Sequence, residues 1–197
     1  MKNLLLAVRP KWCEKICHEI DKDENGKPIY EKRIVVKKTA PKEVPFKAYI
    51  YCCKAKSQWR YSNYEGAYEN SQGKIVYAQQ HVIGEFICNL VDEYPYDYCD
   101  GVDIDDDTIL ETAIGRKAIN IYAKGKTLYG WHISDLKIYD VPKELSEFYT
   151  IDESGNDCCI ACVYHETPIE EMPCRTCTGE RRYLYRSPKS WQYVEKL

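Results

Sequence analysis

The 197-residue chain is 44% hydrophobic with a net charge of -3, which excludes a disordered or low-complexity protein and allows one ordinary domain with a small appendage. The apolar run at residues 4–8 is too short for a signal sequence and no stretch reaches the length of a membrane span, so the sequence predicts an intracellular, cytoplasmic protein. Eleven cysteines, odd in number and without an export signal, point to reduced thiols and a metal rather than a disulfide framework.

In chain order, residues 4–8 predict a short buried strand, and Pro10 stands where helices start. Trp12, Cys13, Ile16, Cys17 and Ile20 then recur at three- and four-residue spacing, which predicts an amphipathic helix over residues 10–20. Asn25-Gly26 marks a turn. Residues 29–37 and 47–53 have the β-branched and aromatic content of strands, and are expected to pair. Residues 54–78 scatter Trp59, Tyr61, Tyr64, Tyr68 and Tyr77 among polar groups, as an insertion or hairpin would. Strand character returns over residues 81–90. Asp107 closes an acidic loop as the expected cap of a helix starting at Thr108, and residues 116–123 predict a second helical segment ended by Gly125. Residues 128–139 alternate as a strand with an irregularity near Ser134, residues 142–148 hold one or two helical turns, and residues 190–194 offer a last strand for the sheet.

Charge is uneven along this sequence. Residues 1–60 carry 15 Lys+Arg against 7 Asp+Glu, whereas residues 61–115 carry 1 against 12. A basic N-terminal third is what a phosphate-binding face needs, and the 18 tyrosines supply rings on which bases can stack; the acidic middle would repel nucleic acid where exposed. Ordinary solvated faces are the competing reading.

Near the end, Cys159-Ile160-Ala161-Cys162 and Cys174-Arg175-Thr176-Cys177 form two C-x2-C pairs eleven residues apart. Each pair offers two sulfurs from a tight turn, and zinc takes four in a tetrahedron, so Cys159, Cys162, Cys174 and Cys177 are read as a structural zinc knuckle. Cys158 and His165 are spare ligands, which leaves the register at the first pair open, and two disulfides or scattered thiols are the alternatives. Residues 149–197, the knuckle and the last strand, then pack on a main domain of residues 1–148.

The order of short strand, Arg9-Pro10, helix, Gly26 and then Glu31-Lys32-Arg33 resembles the ASCH family, small mixed β-barrels similar to the PUA domain, whose chains open with a strand, a Pro-initiated helix and a G-x4-E-x-R segment. The Ile83-Gly84-Glu85-Phe86 and Tyr129-Gly130-Trp131-His132-Ile133 segments are similar to strands that close such a barrel. The resemblance spans residues 4–140, with the knuckle outside it. It implies an α+β fold with flanking helices, a cleft between the first helix and the barrel, and binding of RNA or a modified nucleotide. Arg9, Trp12, Glu31, Arg33, Tyr51 and Trp131 supply the chemistry such a ligand needs: a guanidinium holds phosphate or a base edge, a carboxylate accepts from an exocyclic amine, and a ring stacks. An ion pair of Glu31 with Arg33 or Arg9 that merely pins strand to helix is the alternative.

Some members of that family hydrolyse the amide of an acetylated cytidine with a Lys two residues and a Thr five residues after the motif glycine. Here those positions are Pro28 and Glu31, which have neither amine nor hydroxyl, and Lys27 sits one position early. Glu85 is a lone candidate acid or base. No Walker loop, G-x-G-x-x-G or H-E-x-x-H occurs, the four histidines stand in no nucleophile motif, and residues 100–107 lack the glycine and terminal Glu of a calcium loop. The leading reading is a non-catalytic nucleic-acid or nucleotide-binding module. A hydrolase on a modified nucleoside is the second, favoured if a Lys or Ser comes within reach of Glu31 or Glu85. A protein-interaction module using the acidic middle or the Tyr-rich insertion is the third.

Overall fold

The computed structural model describes residues 1–54, 67–70, 72–150 and 188–196. Fifteen strands and three α-helices alternate along it, and the strands collect mainly into two sheets. In the larger sheet β1 (Lys2–Val8) runs parallel to β5 (Phe46–Cys52) and antiparallel to β15 (Trp191–Lys196). Outside these lie β8 (Val82–Cys88) and β13 (Ser134–Lys143) on one flank and β14 (Phe148–Thr150) on the other. In the smaller sheet β12 (Leu128–His132) lies between β4 (Ile34–Lys37) and β9 (Val91–Tyr94).

The chain passes from one sheet to the other four times, between β1 and β4, β4 and β5, β8 and β9, and β12 and β13, so the sheets wrap round a common core as barrel walls do. Asp135, with φ 47°, and the register shift between Ser134 and Lys137 form the irregularity expected near Ser134. The predicted mixed β architecture with flanking helices is therefore present.

Side-chain alternation on β1 sorts two cores. Leu4, Leu6 and Val8 point to the face shared with Phe46, Ile50, Phe86 and Trp131, while Leu5 points to the opposite face with Tyr49, Tyr51, Tyr139 and Phe148. Each fully buried Leu or Ile here contributes about 1.5–3 kcal/mol. A third cluster of Val36, Tyr94, Val102, Ile104, Ile119 and Leu128 seats α2 (Asp106–Thr112) and α3 (Arg116–Ala123) on the smaller sheet.

Four expectations are corrected. The first helix, α1 (Pro10–Cys17), ends before residue 20, because His18 turns extended and Glu19–Lys22 pairs as β2 with β3 (Pro28–Tyr30) across the Asn25-Gly26 turn. Ile20 is thereby exposed. Residues 29–37 are not one strand: the amides of Glu31, Lys32 and Arg33 bond to the carbonyls of His18, Lys15 and Glu111, which takes them out of any ladder between β3 and β4. Nor do β4 and β5 pair, since residues 38–45, with Pro41 and Pro45, carry the chain from one sheet to the other. The cap of α2 is Asp105, whose carboxylate accepts from the Thr108 amide at 2.8 Å, and not Asp107. Within the Tyr-rich insertion, β6 (Ala67–Glu69) and β7 (Ile75–Tyr77) form a hairpin that tucks Tyr68 into the core. The four proposed zinc ligands lie outside the described residues.

No helix among the described residues is long and apolar enough to cross a membrane.

Candidate nucleic-acid interface

Helix α1 begins on an extended Arg9 with Pro10 at its first position, where the missing amide costs nothing. Its buried stripe, Cys13 and Ile16, packs on the sheet, which leaves Arg9 and Lys11 in solvent and Trp12 half-buried at the helix shoulder. Two ammonium groups flank the Trp12 ring: Lys11 Nζ lies 4.7 Å from its centroid and Lys32 Nζ 5.3 Å. Both distances are in the range of cation–π attraction.

Lys32 is only 2% exposed and donates its ammonium to the Thr112 carbonyl at the end of α2. Burial, with Lys37 and Lys15 nearby, pushes its pKa down to about 7. Lys37 is buried next to it, donates to the Ala7 carbonyl at 3.0 Å and is pushed down to about 8, again by burial. Lys38 sits over the Tyr122 ring at 5.1 Å, and Arg9 acts electrostatically on both Tyr122 and Cys53. Cations from α1 and from the segments on either side of β4 thus meet two aromatic rings, Trp12 and Tyr122, and Arg9 acts on the second of them.

The other predicted residues are distributed differently. Glu31 accepts from Lys15 Nζ and stands 3.1 Å from His18 Nδ1; Lys15 foremost holds its carboxyl below the usual range, against the opposing effect of burial. Neither Arg9 nor Arg33 is its partner. Arg33 pairs with Glu111 at 3.2 Å. A cavity of about 850 Å³ opens beside this Lys15–Glu31–His18 group, walled by Tyr30 and Tyr68, with Glu14 and Glu69 among its lining. Tyr51 faces the second core, on the side of the sheet away from α1, because it aligns with Ala7 and not with Val8. Trp131 is fully buried between Phe46 and Trp191, at ring separations of 5.1 and 5.8 Å, and its indole N–H has no hydrogen-bond acceptor among the described residues.

Sequence reasoning missed Lys15, His18, Lys32, Lys38 and Tyr122. Lys15 was open to discovery, since it follows Trp12 by three positions on one helix and shares its face. Contact of Lys32 with α2 depends on long-range packing that no local pattern carries.

Glu85, the other carboxylate singled out, is shared by Lys47 at 3.2 Å and Tyr139 at 2.5 Å. Burial raises its pKa, but these two partners outweigh burial and leave it lowered. Cys13, Cys17, Cys52 and Cys53 lie near one another between α1 and β5, and desolvation raises Cys13 and pushes Cys17 to about 12, so they act as core filling rather than reactive thiols. No group of three or more metal-ligating side chains occurs among the described residues.

No family model and no curated protein matches the sequence. Solved structures do match. The crystal structure of an ASCH protein from Zymomonas mobilis superposes with a TM-score of 0.51 at 11% identity, covering 99% of this chain and 89% of that one. A single-substitution variant of the same protein gives a TM-score of 0.51 at 10% identity over 99% and 89%. At such low identity the likeness speaks for architecture alone: this chain shares the fold of that ASCH protein.

Proposed function

We propose that the chain is a non-catalytic module that binds RNA or a nucleotide on the face formed by Arg9, Lys11, Trp12 and Lys38. The observation that carries this reading is the placement of the exposed Lys11 on the half-buried Trp12 ring, beside an exposed Arg9. A half-exposed ring beside exposed cations offers a base a flat surface and the adjoining phosphates their counter-charges in one step. Arg33 is exposed but paired with Glu111, so it is not counted among the residues of this face. Titration of labelled single-stranded RNA at several salt concentrations tests the reading: Arg9→Glu should weaken binding and flatten the salt dependence by about one charge, and Trp12→Ala should weaken it at all salt concentrations. Equal binding by wild type and both variants would refute it.

A second reading has an observation of its own. Lys15 and His18 converge on Glu31 at the mouth of the cavity, which supplies an amine and an imidazole beside a carboxylate although the positions of the ASCH hydrolases hold Pro28 and Glu31. That is the arrangement a hydrolase on a modified nucleoside would use. Turnover of acetylated cytidine that vanishes in Glu31→Gln would establish it, and inactivity of wild type would remove it.

The spacing of Cys159, Cys162, Cys174 and Cys177 further supports one structural zinc per chain.

A further inference from the structure

We infer that α3 is the second half of this interface and that its ligand is a single-stranded RNA segment of several nucleotides, not a mononucleotide or a duplex. The inference rests on the nucleic-acid reading of the Arg9–Trp12 face and extends it.

Residues 116–126 hold Arg116, Lys117, Lys124 and Lys126 and no acidic residue, inside a stretch whose preceding twenty residues are strongly acidic. The helix buries Ile119 and Ala123 and turns Asn120 inward, where its side chain accepts from the Val102 amide at 2.9 Å. The opposite face is left to solvent. It carries Lys117, Ala118, Ile121 and Tyr122, with Ile121 65% and Tyr122 41% exposed. Apolar and aromatic surface interleaved with lysines on one helix face suits a polyanion with flat hydrophobic bases.

This face is continuous with the α1 face. Arg9, the residue before α1, acts electrostatically on Tyr122, and Lys38 covers the same ring, its ammonium lying over Tyr122 and donating to the Ala123 carbonyl at the end of α3 at 3.4 Å. Arg9 thus stands between Trp12, three positions on in α1, and Tyr122, and each ring has a lysine ammonium against it. Ring, cation, ring is the order in which a single strand presents base, phosphate, base. A duplex hides its base faces, so both rings would be idle against it. The flank of α3 is also closed to a second strand by charge: Asp106 bridges Arg116 at 2.8 Å, with Asp105 capping α2 and Asp107 and Glu111 on it.

Fluorescence anisotropy with uridine monophosphate as competitor and labelled uridine oligomers of two, four and eight nucleotides, together with an RNA hairpin duplex, tests this on the full chain. Wild-type affinity should rise with oligomer length and exceed that for the duplex. Tyr122→Ala should lose about tenfold on the octamer and leave monophosphate competition unchanged. Lys117→Glu combined with Lys124→Glu should weaken the octamer and lower its salt dependence, and all these positions are exposed, so circular dichroism should show an intact fold. Loss of octamer binding in Arg9→Glu with no effect of either α3 change would overturn the inference and leave the proposed function standing. Equal affinity for monophosphate and octamer, preference for the duplex, or equal binding of a polyglutamate peptide would also overturn it. Absence of any RNA binding by wild type would remove both.

Discussion

Replacing Lys32 by methionine should change how stability depends on pH. The ammonium is buried against Thr112 and the Trp12 ring, with its pKa down to about 7 from 10.5. Below pH 7 it is charged in both the folded and the unfolded chain, and the folded chain bears the full cost of a buried charge. Between pH 7 and 10.5 the folded chain has released the proton while the unfolded chain still holds it. The unfolded state then binds more protons, so this group's contribution to stability rises with pH. One proton corresponds to about 1.4 kcal/mol per pH unit, or about 2–3 kcal/mol between pH 7.5 and 9.5. Cys13 and Cys17 act in the opposite sense, because their raised pKa values favour the folded state only until the unfolded thiols ionise. The informative quantity is therefore the difference between Lys32→Met and wild type, in which the thiol contribution cancels. Urea unfolding at half-unit steps from pH 6.5 to 9.5 should show the variant's relative stability falling by about 2–3 kcal/mol across the upper two units. Parallel curves, with a constant difference, would refute the assignment of a buried, depressed lysine.

The remaining predictions concern other parts of the molecule. Gly84→Ala should lower stability by about 2–3 kcal/mol in urea, because a Cβ there would stand 2.5 Å from the Lys137 carbonyl oxygen and 3.3 Å from Ile138 Cα, both backbone atoms of β13; an unchanged midpoint would contradict the close approach of β8 and β13. Glu31 is held below the usual carboxylate range, so its contribution is present above the unfolded value and lost as pH falls through the folded one; Glu31→Gln should flatten acid unfolding between pH 3 and 5, measured by tryptophan fluorescence. Metal analysis should find close to one zinc per chain in wild type and less in Cys174→Ser, and full retention in the variant would sink the knuckle.

Much of the scaffold was legible because it is written in local signals. Arg9-Pro10 with the Trp12, Cys13, Ile16 stripe marks α1, and Asn25-Gly26 marks the β2–β3 turn, where Gly26 adopts φ 76°. The helix end was not legible, since Ile20 continues the apolar period and only pairing of β2 with β3 removes it. Tyr51 shows the same difficulty at the site. Its residue type suits a cleft, but one step of strand register decides which side of the sheet it meets, and register is set by the partner strand. Glu31 was singled out through the resemblance of its G-x4-E-x-R segment to the ASCH family, whereas its partners, Lys15 and His18, come from the turn at the end of α1.

The position of β15 bears on how the protein is made. It lies between β1 and β14, with Leu4 opposite Tyr193, so the first strand of the chain receives one of its two neighbours from residues nearly the whole sequence away. During synthesis β1 can zip onto β5 as soon as that strand emerges, yet its other edge stays open until residues 191–196 have left the ribosome. Completion of the larger sheet is therefore a late event with a long loop to close, and a nascent chain stalled short of residue 191 would present an unpaired apolar edge to chaperones or to other chains.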